Sequence, residues 1–112
     1  MQLQQPKYVY MGGKLQLWEK AKIHVGSEAA IRGLNVYEGV KGYWQKDGQF
    51  GVAMLRRHFE RLRRSARLLH IPCEWTYEQF EKATFDLMGE LLEPGRDMWA
   101  RPTLFAVEGH WG

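Results

Sequence analysis

The sequence has little that a disulfide, a membrane or a metal needs. Its single cysteine, Cys73, closes no intrachain disulfide and supplies no thiolate cluster by itself. No apolar run approaches the roughly 18 residues of a membrane-spanning helix. The start, Met1-Gln2-Leu3-Gln4-Gln5-Pro6, has neither the basic nor the apolar stretch of a secretory leader. His24, His58, His70 and His110 put no two imidazoles on one helical face, so no metal site is expected and His58 reads as a packing or hydrogen-bonding residue. There is no Ser-His-Asp arrangement, phosphate-loop motif, internal repeat, low-complexity tract or linker. These absences leave a cytoplasmic globular protein as the expectation.

What is there supports one domain. The chain has 112 residues, 45% apolar and 26% charged, enough for a single core and too ordinary in composition for disorder. The net charge of +3 is unevenly placed. Between Leu55 and His70 six arginines (56, 57, 61, 63, 64 and 67) face one carboxylate, Glu60, so the rest of the chain is mildly acidic.

The patterning predicts an order of elements. Lys7 to Met11 and Lys14 to Trp18 are β-rich runs joined by Gly12-Gly13, a tight-hairpin signal. Ser27 can cap a short helix through Arg32, left at Gly33. Val36 to Gln45 reads as one strand whose glycines, Gly39 and Gly42, mark a bulge or a close backbone approach. Asp47-Gly48 turns it back through Gln49 to Ala53. Leu55, Phe59, Leu62, Ala66 and Leu69 lie within about 80° of a helical wheel, and Ile71-Pro72 ends that helix. A second helix starts at Thr76, with Gln79 completing a capping box; its apolar stripe is Tyr77, Phe80, Thr84, Leu87 and Leu91, and Glu93-Pro94-Gly95 stops it. Asp97 to Val107 reads as a last strand that Pro102 pushes towards an edge or a bulge. The fold class is α+β, a two-layer domain with a mainly antiparallel sheet and two helices packed on one face. The run Glu108-Gly109-His110-Trp111-Gly112 halts soon after a strand, as a cut would, or as a chain completed by another.

Two groups of residues invite chemistry. On the arginine-rich helix five arginines spread over the solvent side, where snorkelling stems are the ordinary use. Arg61 instead stands near 240° on the wheel, beside Ser65 and His58, on the other flank of the buried stripe; there its planar fork can meet a phosphate. Trp99 and Arg101 share one face of a strand, an aromatic wall beside an anion clamp, or else packing and a surface charge. The arginines together with five Trp, five Tyr and five Phe also allow a nucleic-acid-binding module on helix 55–70. No helix-turn-helix, zinc-finger or ribonucleoprotein motif accompanies them.

From about Tyr8 to Gly109 the sequence resembles the N-terminal domain of class IV (fold-type IV) pyridoxal-phosphate aminotransferases, branched-chain amino acid aminotransferases most of all. Four motifs carry the resemblance, in register. Met11-Gly12-Gly13-Lys14 with Trp18 to Val25 looks like the family's hairpin and the strand after it. Gly33 to Tyr43 is similar to "yG-x-x-x-FEG-I-R-x-Y". His58-Phe59-Glu60-Arg61-Leu62 is similar to "eH-x-x-RL", with Ser65-Ala66 in place. Trp99-Ala100-Arg101-Pro102 stands where the family has "Y-I-R-P".

The resemblance implies roles residue by residue. Arg61 matches the arginine that binds the cofactor's phosphate. Tyr37, in place of a phenylalanine, matches an aromatic of the substrate side-chain pocket, and Gly39 the glycine whose strand passes close to the substrate. Arg101 matches the arginine of that pocket, and Trp99 replaces its neighbouring tyrosine. Arg32 stands where the family has a tyrosine that shapes the site, and Lys41 replaces an arginine. The family's Schiff-base lysine, general base and pyridine-nitrogen contacts lie in a C-terminal domain that none of this chain's lysines matches, so no catalytic residue is expected here. The implied function is part of an aminotransferase, a truncated domain or a small subunit, that transfers an amino group between an amino acid and a 2-oxo acid with pyridoxal 5'-phosphate. The implied partner is the lysine-bearing domain or subunit, in a homo- or hetero-oligomer; a non-catalytic accessory or relic subunit is the alternative.

Overall fold

The computed structural model describes residues 4–107; Met1 to Leu3 and the run Glu108 to Gly112, with His110, lie outside them. Strands β1 (Tyr8–Met11) and β2 (Lys14–Leu17) form the expected hairpin, with Gly12 and Gly13 at φ of 64° and 80° in the turn. Only glycine adopts two such values in succession without steric cost. The strand implied over 18–25 is absent. Trp18–Lys20 makes a 3₁₀ turn, and His24 Nδ1 accepts the Gly26 N–H, closing the backbone into a local turn with no neighbouring strand to pair with.

Helix α1 (Glu28–Arg32) starts as its cap predicts. Ser27 Oγ accepts the Ala30 N–H, and Gly33 leaves the helix at φ 63°. Next come β3 (Asn35–Tyr37), β4 (Val40–Trp44) and β5 (Phe50–Val52), followed by α2 (Leu55–Leu68), α3 (Tyr77–Leu91), β6 (Met98–Ala100) and β7 (Thr103–Phe105). β5 pairs β4, β4 pairs β6, and β3 pairs β7, all antiparallel.

Both long strands read from sequence are therefore split, and at the same place. The β3–β7 and β4–β6 ladders keep one register, which sets Glu38 opposite Pro102 and Gly39 opposite Arg101. The Glu38 N–H still donates to Pro102 O at 3.1 Å. Proline has no N–H to return that bond, so the ladder lapses for two residues and resumes. The expected single sheet is in effect a broken one, with the β1–β2 hairpin outside it and leaning on α3; Tyr10 also meets Trp75, just before that helix, edge to face.

The core lies between the inner sheet face and the helices. Val36 and Val40 meet Leu55, Phe59, Leu62 and Ala66 of α2, and Phe80 of α3 stacks on Phe59 at 4.9 Å between ring centroids. Two expectations about the helices change. α2 ends at Leu68, so Leu69 is exposed and Ile71 is buried in its place. On α3 the buried residues are Phe80, Ala83 and Met88 rather than the whole predicted stripe. That helix touches α2, the hairpin and β6 at once, so its burial is spread around the axis instead of along one face. The Thr76–Gln79 capping box is present with both bonds.

Candidate functional site

Alternation along residues 36–43 builds the site. Val36, Glu38, Val40 and Gly42 face the helices and are buried, while Tyr37, Gly39, Lys41 and Tyr43 face outwards. On the paired strand Trp99, Arg101 and Thr103 share that outer face, each opposite one of these residues. Tyr37 is 61% exposed and Trp99 72%, so the face is open.

The outer side chains order one another. The Arg101 guanidinium lies 5.4 Å from the Tyr37 ring centroid, and the Lys41 ammonium lies 4.9 Å from that of Trp99 and 5.0 Å from that of Tyr43. Such contacts at exposed positions contribute about 0.5–1 kcal/mol each and fix where the charges sit. Between the two cation–aromatic groups Gly39 leaves the backbone bare. A Cβ there would touch only the Trp99 ring, at 3.6 and 3.9 Å, which is ordinary contact. The fold does not need a glycine at that place, but the open slot does. Gly42 is different. Its missing side chain is filled by the Phe50 ring, which a Cβ would collide with.

Behind the slot the chain places a charge where the pattern calls for an apolar residue. Glu38, only 7% exposed, receives Arg61 Nε on both carboxylate oxygens at 2.9 Å, and Arg61 Nη2 on Oε1 at 2.8 Å. His58 Nδ1 lies 2.8 Å from the same Oε1 and, against a carboxylate, is the donor. Burial pushes the Glu38 carboxyl up; the hydrogen bonds from Arg61 and His58 and their charges outweigh it and hold it below the ordinary carboxylate range. Glu38 in turn raises the Arg61 pKa, chiefly through the hydrogen bond, so the guanidinium is charged at any working pH. The Arg61 side chain remains 58% exposed and opens on a concavity of about 600 Å³ shared with Met54, Arg57, His58, Glu60 and Arg64.

The structure thus brings together Tyr37, Gly39, Trp99 and Arg101 on one face, and joins Arg61 to the same strand segment from behind through Glu38. Arg32 is set apart. It pairs with Glu28 at 3.0 Å on α1, and among the described residues no hydrogen bond, ion pair or cation–aromatic contact joins it to the sheet face. Glu38 and Tyr43 gain roles that sequence reasoning did not give them, and Lys41, which the resemblance gave only as a replacement for an arginine, stands over the Trp99 and Tyr43 rings. The signal for Glu38 was present, as an acidic residue alternating in phase with Val36 and Val40. Of the other α2 arginines, Arg56 stacks on Tyr77 at 3.9 Å and Arg63 lies over Phe59 at 5.7 Å, so part of the basic face packs on aromatics.

No family model matches the sequence. The chain is similar to the branched-chain amino acid aminotransferase of Salmonella typhimurium, 33% identical over 81 residues that make up 72% of this chain and 26% of that protein. Its fold matches the crystal structure of the Escherichia coli branched-chain amino acid aminotransferase, with a TM-score of 0.87 and 27% identity over 96% of this chain and 34% of the other. It also matches the Thermobaculum terrenum branched-chain amino acid aminotransferase, solved in its PLP form, with a TM-score of 0.75 and 30% identity over 88% of this chain and 32% of that one. The chain spans about a quarter to a third of the length of these proteins.

Proposed function

From a chain homologous to the N-terminal part of branched-chain amino acid aminotransferases, we propose that it supplies one wall of a pyridoxal-phosphate-dependent transamination site. The reaction is the transfer of an amino group between an amino acid and a 2-oxo acid. The observation that carries the proposal is the pairing of an open, cation-bearing aromatic slot around Gly39 with an oriented arginine directly behind the same strand segment.

The donor set suits a phosphate ester. Arg61 is permanently charged, held by a buried carboxylate at one edge, and still more than half exposed beside Arg57 and Arg64. Arg61 is the residue that would hold the cofactor's phosphate. Pyridoxal 5'-phosphate, when bound, supplies the electron sink that makes the substrate α-carbon acidic. The outer face does the rest of this chain's work. Tyr37 and Trp99 wall the apolar part of a substrate and exclude water from it. Arg101, kept in line by the Tyr37 ring, receives a carboxylate. Gly39 lets the substrate approach the backbone. Arg32 is left outside the proposal because its charged partner is on its own helix, Glu28, and not on the outer face of the sheet. The lysine and the proton-transfer groups come from the remaining part of such an enzyme, which is this wall's partner.

Gly39→Val is the test, carried out in the assembly that contains the lysine-bearing domain. The new Cβ meets only ordinary contacts, and a β-branched residue suits a strand, so the melting temperature should hold within a few degrees. Filling the slot should raise KM for amino acid and 2-oxo acid by tenfold or more, about 1.4 kcal/mol or greater in binding. Wild-type kinetics in a folded Gly39→Val protein would remove the slot from the substrate site.

A further inference from the structure

Arg61 is on a surface helix, and a free arginine there would sample many rotamers, whose loss on binding a ligand costs side-chain entropy. The structure removes that freedom in a particular way. Glu38 takes the Nε edge of the guanidinium with both oxygens and Nη2 with one, while among the described residues Nη1 has no protein partner. The plane of the fork is thereby fixed by its inner edge, and the outer edge is left for a ligand.

The carboxylate is itself prevented from turning. It is buried between Val36 and Val40, its own strand is pinned by the bond from Glu38 N–H to Pro102 O, and His58 Nδ1 holds Oε1 from the side, 2.8 Å away. His58 and Arg61 lie three residues apart on α2 and so reach the same carboxylate from one helix face. Phe59 and Leu62, buried beside them, lock that face against the sheet. The opposite ordering, with Arg61 buried and Glu38 exposed, would leave nothing for a phosphate to meet.

We infer that Glu38, braced by His58, is a positioning residue that presets the Arg61 fork for a phosphate group. The inference rests on the reading of Arg61 as the phosphate-binding residue and deepens it: Glu38 touches no ligand and acts only through Arg61. Anion affinity is then set by a carboxylate on the opposite side of the guanidinium. Removing that negative charge weakens phosphate binding, although simple electrostatics predicts that losing a nearby anion strengthens it. The sign of the effect therefore separates positioning from charge.

The probe is inorganic phosphate, titrated into the full chain and followed by phosphorus NMR. The Arg61 Nε–H resonance and its hydrogen-exchange rate provide a second readout. In the wild-type chain phosphate should bind saturably, with a slowly exchanging Nε–H. Glu38→Gln, which keeps the shape, should bind roughly tenfold more weakly, within the range of coupling between side chains in direct contact, and its Nε–H should exchange faster. Should the Gln variant fail to fold, Glu38→Asp keeps the charge but shortens the reach, and it should show the same two losses. Arg63→Ala, over Phe59 and outside the clamp, should titrate as wild type. If Arg61→Ala loses phosphate while Glu38→Gln binds as well as wild type or better, the positioning role is overturned and the phosphate reading survives. If Arg61→Ala binds as wild type, or wild type shows no saturable binding, the phosphate reading falls and the inference with it.

Discussion

Glu38, Gly39 and Gly42 show how differently three neighbours on one strand are constrained. Gly42 exists for the fold. A methyl at that position collides with the Phe50 ring, which is also held edge to face by Trp44. Gly42→Ala should therefore destabilise the protein by roughly 1–3 kcal/mol, the usual cost of overpacking, as read by urea denaturation. Gly39→Val, three residues away, should leave stability almost unchanged. Glu38 gives the pH dependence a sign. Its folded pKa lies below the unfolded one, so its contribution is complete above the ordinary glutamate value of about 4.3 and is lost as pH falls below it. Melting temperatures followed from pH 7 downwards should drop on that acid limb in the wild type, and the drop should be shallower in Glu38→Gln. An equally steep limb in the variant would show that other carboxylates carry the acid sensitivity.

At the scale of elements, local chemistry was legible where it closes within a few residues. Gly12-Gly13, Asp47-Gly48, the Ser27 cap and the Thr76–Gln79 box all appear as read, because each is a contact within one turn. Thr76→Ala should lower stability by about 1 kcal/mol through loss of the box, and Thr76→Asp should restore most of it; equal losses in both would assign the effect to something other than the cap. What was not legible depends on distant partners. The break at Glu38–Gly39 is imposed by Pro102 on another strand, and its trace in the sequence was only that a proline sat in a strand. The burial of α3 could not be read from its own period, since the hairpin and β6 approach it from other sides. The Arg61 position on the wheel was correct, whereas its engagement by Glu38, 23 residues earlier, required the sheet to be built first.

The described residues as a whole form an elongated body of 56 × 29 × 26 Å with one sheet face uncovered. That face carries Tyr37, Tyr43 and Trp99, all large and exposed, beside Lys41 and Arg101. An aromatic surface of this kind, rimmed by charge, marks a place for a ligand or another domain. In the function proposed above, the lysine-bearing part of the enzyme is what would cover this face. Of the α2 arginines, Arg56 and Arg63 lie over aromatic rings of the domain and Arg61 is oriented by Glu38, so the basic face is not a uniform track of charges. If the helix bound nucleic acid, replacing each exposed arginine with alanine would lower affinity by a similar step, and binding would fall steeply with salt.

The most direct measurement of the central claim is the affinity for pyridoxal 5'-phosphate in the assembly containing this chain and the lysine-bearing domain. It compares wild type, Arg61→Ala and Arg63→Ala. Arg61→Ala should lose about 1.5–3 kcal/mol, the contribution of a charge-assisted hydrogen bond. Arg63→Ala, which removes an exposed charge, should lose about 0–1 kcal/mol. The loss at Arg61 should nearly vanish when pyridoxal, which lacks the phosphate, replaces the cofactor. Equal losses at both arginines, or an Arg61→Ala protein that holds the cofactor as tightly as wild type, would contradict that claim.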